Sequence, residues 1–154
     1  MAEDVPDVVV EVQKALDSFE QSVFPVDGEG AMKYLSISQD ELRMLSADEC
    51  GEAAVLLVAL SFHVSKQINK LKAQIRYCGE AIMKNVAPRL ANYRYNSPDE
   101  RMCLAIAEDD FSTKMKRHEV TLSCQMDRIE YLPLRLEKSA DMFSSLAATR
   151  RRRS

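Results

Sequence analysis

Apolar residues recur along this chain at alternating steps of three and four, the period of a helix that buries one face. In its middle, Leu57, Ser61, Val64, Ile68, Leu71, Ile75, Cys78 and Ile82 keep the alternation, and seven of these eight positions are apolar. Further on, Phe111, Met115, His118, Leu122, Gln125, Ile129, Leu132, Leu136, Ser139, Phe143 and Leu146 keep it again, with eight apolar among eleven. An earlier, shorter stripe of Val8, Val12, Leu16, Phe19 and Val23 predicts an amphipathic helix over Val5 to Val23, although Val8-Val9-Val10 is also compatible with the start of a strand. Two heptad seams joined by a short break predict an all-α fold: a long antiparallel helical hairpin, coiled-coil-like, with a smaller N-terminal helical segment.

Start and stop signals set the boundaries. Ser38-Gln39-Asp40-Glu41, Ser46-Ala47-Asp48-Glu49 and Ser97-Pro98-Asp99-Glu100 share the form S-x-x-E, in which serine caps an orphan amide and glutamate reaches back to the cap. A short helix after Ser38 and a long one over about 47–86 follow, the latter stopped by Pro88. The break falls at Tyr93-Arg94-Tyr95-Asn96, and a second long helix runs over about 98–149 with a kink at Pro133. Phe24 to Gly30 holds two of the four glycines and a proline and reads as a linker. The expected organisation is thus an acidic N-terminal helix and linker (1–30), the hairpin (31–149) and a frayed basic tail (150–154). Val55, Leu56, Val58, Leu60, Phe62, Met126, Leu134 and Met142 lie off the seams and need cover, from the N-terminal helix or from another subunit of a homo-oligomer.

Composition narrows the classes. At 154 residues, with four glycines and no tryptophan, the chain has the size of one domain and lacks the turn residues of an all-β or dinucleotide-binding fold. The four cysteines (Cys50, Cys78, Cys103, Cys124) form no C-x-x-C pair, and no secretory leader is seen, so neither disulfides nor zinc is expected and the thiols read as small buried hydrophobes of a cytoplasmic protein. No run approaches the roughly 20 apolar residues of a membrane span. No H-E-x-x-H, G-x-S-x-G or P-loop occurs, and His63 and His118 are the only histidines. Glu108, Asp109 and Asp110 diverge by about 100° per residue on a helix and read as a solvated turn rather than a metal site. The expectation is a non-enzyme with no catalytic residue, metal or cofactor.

Charge adds a candidate site. The net charge of −3 hides thirteen acids against three bases in residues 1–52 and eleven against eighteen thereafter. Between Ala53 and Tyr95 seven bases (Lys66, Lys70, Lys72, Arg76, Lys84, Arg89, Arg94) face the single acid Glu80. Tyr77, Tyr93 and Tyr95 lie nearby, and cations that follow phosphates beside rings that stack on bases are the means of binding single-stranded nucleic acid. The competing reading is the solvated polar face of a coiled coil, which ordinarily mixes signs. Arg150 to Arg153 offer further phosphate contacts.

These residues resemble a known family. A capped short segment at Ser38–Leu42, a long helix containing Ile68-Asn69-Lys70-Leu71-Lys72-Ala73-Gln74-Ile75-Arg76-Tyr77, and a second long helix ending in arginines are similar to UvsY, the recombination mediator proteins of T4-like phages. The resemblance covers roughly residues 37–150. It implies a ring-like homo-oligomer in the cytoplasm of a bacterial host cell that binds single-stranded DNA. By the same resemblance it helps the phage recombinase displace single-strand binding protein, in DNA recombination and repair, without catalysis of its own. The family's DNA-binding Lys-x-Arg pair maps its lysine onto Lys72, while Gln74 stands in the arginine's place and Arg76 follows about 200° round the helix. The alternative is a structural or adaptor coiled coil whose basic face meets an acidic protein surface.

Overall fold

The computed structural model describes residues 28–153. The helix expected over Val5 to Val23 lies outside the described residues. The fold is all-α: α1 (Gly28–Leu35), α2 (Gln39–Met44), α3 (Ala47–Val86), a 3-10 helix (Ala87–Tyr93), α4 (Pro98–Ala107), α5 (Asp110–Ile129) and α6 (Leu132–Arg151). No described helix is long and apolar enough to cross a membrane.

All three serine–glutamate caps form. Ser38, Ser46 and Ser97 accept from the amides of Glu41, Glu49 and Glu100 at 3.2–3.3 Å, and each glutamate accepts in return from its serine's amide at 2.6–3.0 Å. Those returned amide bonds hold the three carboxyls below the ordinary glutamate range. The forty-residue α3 stops where expected, because Pro88 has no amide to continue the ladder. Two boundaries differ from expectation. Gly28 and Gly30 form the first turn of α1 rather than a linker. The second long helix is three helices: it breaks at Glu108–Asp109, where Asp109 caps α5, and again before Pro133, which sits in the first turn of α6 as a start and not a kink.

The chain divides into two compact units that share α3. In one, residues 28–68 and 128–153, α3 packs on α6 and α1 through Ala31, Tyr34, Cys50, Ala53, Ala54, Leu57, Leu136, Ala140, Phe143 and Ala147. The alanines let the backbones approach, and Tyr34 meets Phe143 edge-on at 5.8 Å between ring centres. Arg151 reaches Asp48 at 3.3 Å, and Ser61 donates to the carbonyl of Pro133 at 3.3 Å and to Glu137 at 3.0 Å, so later residues of α3 meet earlier residues of α6. In the other unit, residues 69–127, Cys78, Ile82, Val86, Ala105, Met115 and Leu122 form the core.

The seams hold along α3, where Leu57, Ser61, Ile68, Cys78 and Ile82 are buried. On the partner helices Met115, Leu122, Leu136 and Phe143 are buried, but Phe111, Gln125 and Leu132 are exposed. The restart at Asp110 turns Ser112 inward in place of Phe111. Of the off-seam residues, Leu56 and Leu60 pack against the first core, whereas Val55, Val58, Phe62, Leu134 and Met142 stay exposed.

The arginine end is not frayed. Arg150 and Arg151 belong to α6, and the Arg150 guanidinium donates to the carbonyls of Leu42 (2.8 Å) and Leu45 and to the Cys50 sulfur (3.2 Å), satisfying the orphan end of α2. Cys50 and Cys78 are buried as expected, while Cys103 and Cys124 are exposed because they sit on the outer sides of α4 and α5. Burial, with the Glu119 charge adding to it, pushes the Cys78 thiol up to about 11.

Two outcomes follow. Arg150→Met is expected to lower stability by about 2–3 kcal/mol in urea titrations, since it strands carbonyls that a charged donor satisfies, whereas Arg153→Ala changes it by less than about 0.5 kcal/mol. With a thiol reagent at pH 8, Cys103 and Cys124 react at once and Cys50 and Cys78 only on unfolding. Four equal rates would contradict this placement.

Candidate nucleic-acid interface

Within α3, the side away from the core carries the basic residues. Lys72, Arg76 and Lys84 are exposed, and Lys70 is half-buried. Lys72 and Arg76 are one turn apart and so neighbours on the helix surface, and Glu80, the lone acid, lies one turn from both Arg76 and Lys84. Lys66, half-buried, precedes them on the part of α3 that belongs to the first unit. Position 74 is buried, so a residue there faces the core, while Arg76 is exposed.

The remaining candidates separate into two groups. Tyr77 and Tyr93 are half-buried and pack against the core of residues 69–127. The Tyr93 hydroxyl is held by the Glu108 carboxylate, which raises its pKa above the ordinary phenol value. Arg89 is bound to Asp109 at 3.0 Å. These three are engaged inside the fold. Arg94 and Tyr95, by contrast, project from the turn between the 3-10 helix and α4. Tyr95 is 87% exposed, the Arg94 guanidinium lies 4.8 Å from its ring centre, and Arg94 Nη2 donates to the Tyr95 hydroxyl at 2.8 Å. An aromatic face backed by a cation is the arrangement that stacks on a base while its charge meets the adjoining phosphate.

Two residues that the sequence pattern did not mark hold this turn. Arg101 donates from Nε to the carbonyl of Asn96 (2.9 Å) and from Nη2 to that of Arg94 (2.8 Å), fixing the backbone on both sides of Tyr95. Asp109 gathers the Ser112 amide (2.8 Å), the Asn85 side-chain amide and the Arg89 guanidinium. It thereby ties the end of α3 and the 3-10 helix to the start of α5. The bonds from Ser112, followed by the nearby Arg89 charge, hold the Asp109 carboxyl below its ordinary value of 3.8. An N-cap aspartate followed by serine lacks the glutamate that marks the other starts, and an arginine that bonds two carbonyls has no spacing signature.

No protein-family model, curated protein or solved structure matches this chain. Function is read from the geometry.

Asp109→Ala is expected to cost about 2 kcal/mol or more at pH 7, by removing a cap and leaving Arg89 without its carboxylate. Because the folded pKa of Asp109 is depressed, its contribution is present above the unfolded value and is lost as pH falls through the folded one. The stability gap between the native chain and the variant therefore narrows in urea titrations as pH falls through the ordinary aspartate value of 3.8 and below it. A gap independent of pH would remove the charge from this account.

Proposed function

We propose that this protein is a single-stranded DNA-binding recombination mediator, non-enzymatic and homo-oligomeric, that helps load a phage recombinase onto DNA covered by single-strand binding protein. The observation that carries the reading is the pairing of a nearly unopposed cationic side of α3 with an exposed Arg94–Tyr95 stack at the end of the same unit. Lys66, Lys70, Lys72, Arg76 and Lys84 neutralise phosphates, Arg94 adds one more, and Tyr95 supplies the ring. Arg89, Tyr77 and Tyr93 support the fold beneath. The likeness to the phage mediator family contributes the recombinase and single-strand binding protein as partners. Exposed Leu134, Met142 and Tyr131 favour self-association.

A second reading has its own support. Val55 and Phe62 are large apolar side chains exposed on α3, and such residues suit a protein contact better than a nucleic acid. An adaptor coiled coil that meets an acidic protein surface uses the same cations and has no need of Tyr95.

Fluorescence anisotropy of labelled single- and double-stranded oligonucleotides across salt concentrations tests the choice. Six phosphate contacts give a log–log salt slope of about −4 on single strands, and Lys72→Ala with Arg76→Ala reduces its magnitude by about 1.4 without loss of helicity. Tyr95→Ala costs about 1–3 kcal/mol of single-strand affinity. Binding that ignores all three substitutions would hand the basic face to the adaptor.

A further inference from the structure

Within residues 69–127 a cleft of about 540 Å³ opens between α4 and α5. On α4 its lining runs at steps of three and one from Cys103 to Ala107, and on α5 at similar steps from Thr113 to Thr121, so each helix turns one side towards it. Ala105, Met115 and Leu122 turn the other way and fill the core. The volume lies within the roughly 300–1,000 Å³ of small-molecule sites.

The floor of the cleft is apolar. Ile106, Ala107 and Val120 contribute to it, and Val120 is 52% exposed. The two threonine hydroxyls of the lining are occupied within the protein: Thr113 Oγ1 donates to the carbonyl of Ile106 at 2.9 Å and Thr121 Oγ1 to that of Arg117 at 3.0 Å. The charged residues of the lining are two bases, Lys116 and Arg117, with no acid among them. Lys116 Nζ donates to Glu119 at 2.6 Å, whereas Arg117 is exposed and offers a planar fork of donors matched to a carboxylate.

We propose that this cleft binds a single-chain amphipathic anion, an aliphatic carboxylate whose chain covers Ile106, Ala107 and Val120 and whose head meets Arg117. Charge and size select this occupant. A bare phosphate or sulfate leaves the apolar floor wet, and an uncharged apolar molecule makes no use of the cations. A protein partner engages about 20–30 residues a side, far more than line the cleft.

Cys103 lines the cleft and Cys124, also exposed, does not, so the chain carries a reporter and its control. The full chain is labelled with N-ethylmaleimide at neutral pH in the presence of dodecanoate below its micelle concentration, and mass spectrometry follows each cysteine. At about ten times its dissociation constant, dodecanoate slows Cys103 about tenfold by mass action and leaves Cys124 unchanged. Arg117→Gln raises the concentration needed for half-protection about tenfold, and dodecanol, which has the chain without the charge, requires a similar increase with the native protein. Val120→Asp, which places an acid on the apolar floor at an exposed position, abolishes protection. Circular dichroism confirms that both variants keep their helices. No protection of Cys103 up to the micelle concentration, equal slowing of both cysteines, or protection that both variants retain would each overturn the proposal. A Cys103 rate that rises on dilution of the ligand-free chain would overturn it as well, by placing a second copy in the cleft.

Discussion

A forty-residue helix has no means of burying its own seam. α3 is about 60 Å long and presents an apolar row over most of that length, so its existence depends on helices laid against it. Within residues 28–68 and 128–153 that cover is α6 with α1, and within residues 69–127 it is α4 and α5. Two twenty-residue helices do what one long partner would do, and each ends at a local signal. The division into two units sharing one helix is a consequence of where those signals fall.

Polar residues within the seams decide the register. A continuous apolar seam tolerates sliding by a heptad, whereas a buried hydroxyl must meet its acceptor or cost roughly 1–3 kcal/mol. Ser61 has one such arrangement, with the Pro133 carbonyl and Glu137. Ser112 has another, accepting from Asn85 at 3.0 Å while its amide is held by Asp109. Asp109 also collects Arg89, so a single carboxylate fixes the end of α3, the 3-10 helix and the start of α5 together. Its low pKa is the sign of that concentration of donors.

Much of the fold was legible in the sequence because its signals are local. Ser38, Ser46 and Ser97 with their glutamates mark helix starts through contacts three residues apart, and Pro88 stops α3 by lacking an amide. The seam of α3 was legible for the same reason, a period repeated within one element. What escaped notice depends on contacts distant in sequence. Arg150 reads as a frayed tail until the end of α2 lies beside it, over a hundred residues earlier in the chain. Arg89 reads as a free cation until Asp109 meets it, and Tyr77 and Tyr93 as stacking rings until their core is assembled. Cys103 and Cys124 read as buried thiols because an outward position on α4 or α5 is set by the break at Glu108–Asp109, which carries no strong signal. The candidate site therefore contracted to its exposed members, Lys72, Arg76, Lys84, Arg94 and Tyr95, with half-buried Lys66 and Lys70 beside them.

That contraction sharpens the electrostatic problem the chain has to solve. The outer side of α3 carries five bases, Lys66, Lys70, Lys72, Arg76 and Lys84, against the one acid Glu80, and like charges on neighbouring turns repel one another. Exposed charges of this kind are screened by salt, so the repulsion and the gain from an anionic partner both fall as ionic strength rises.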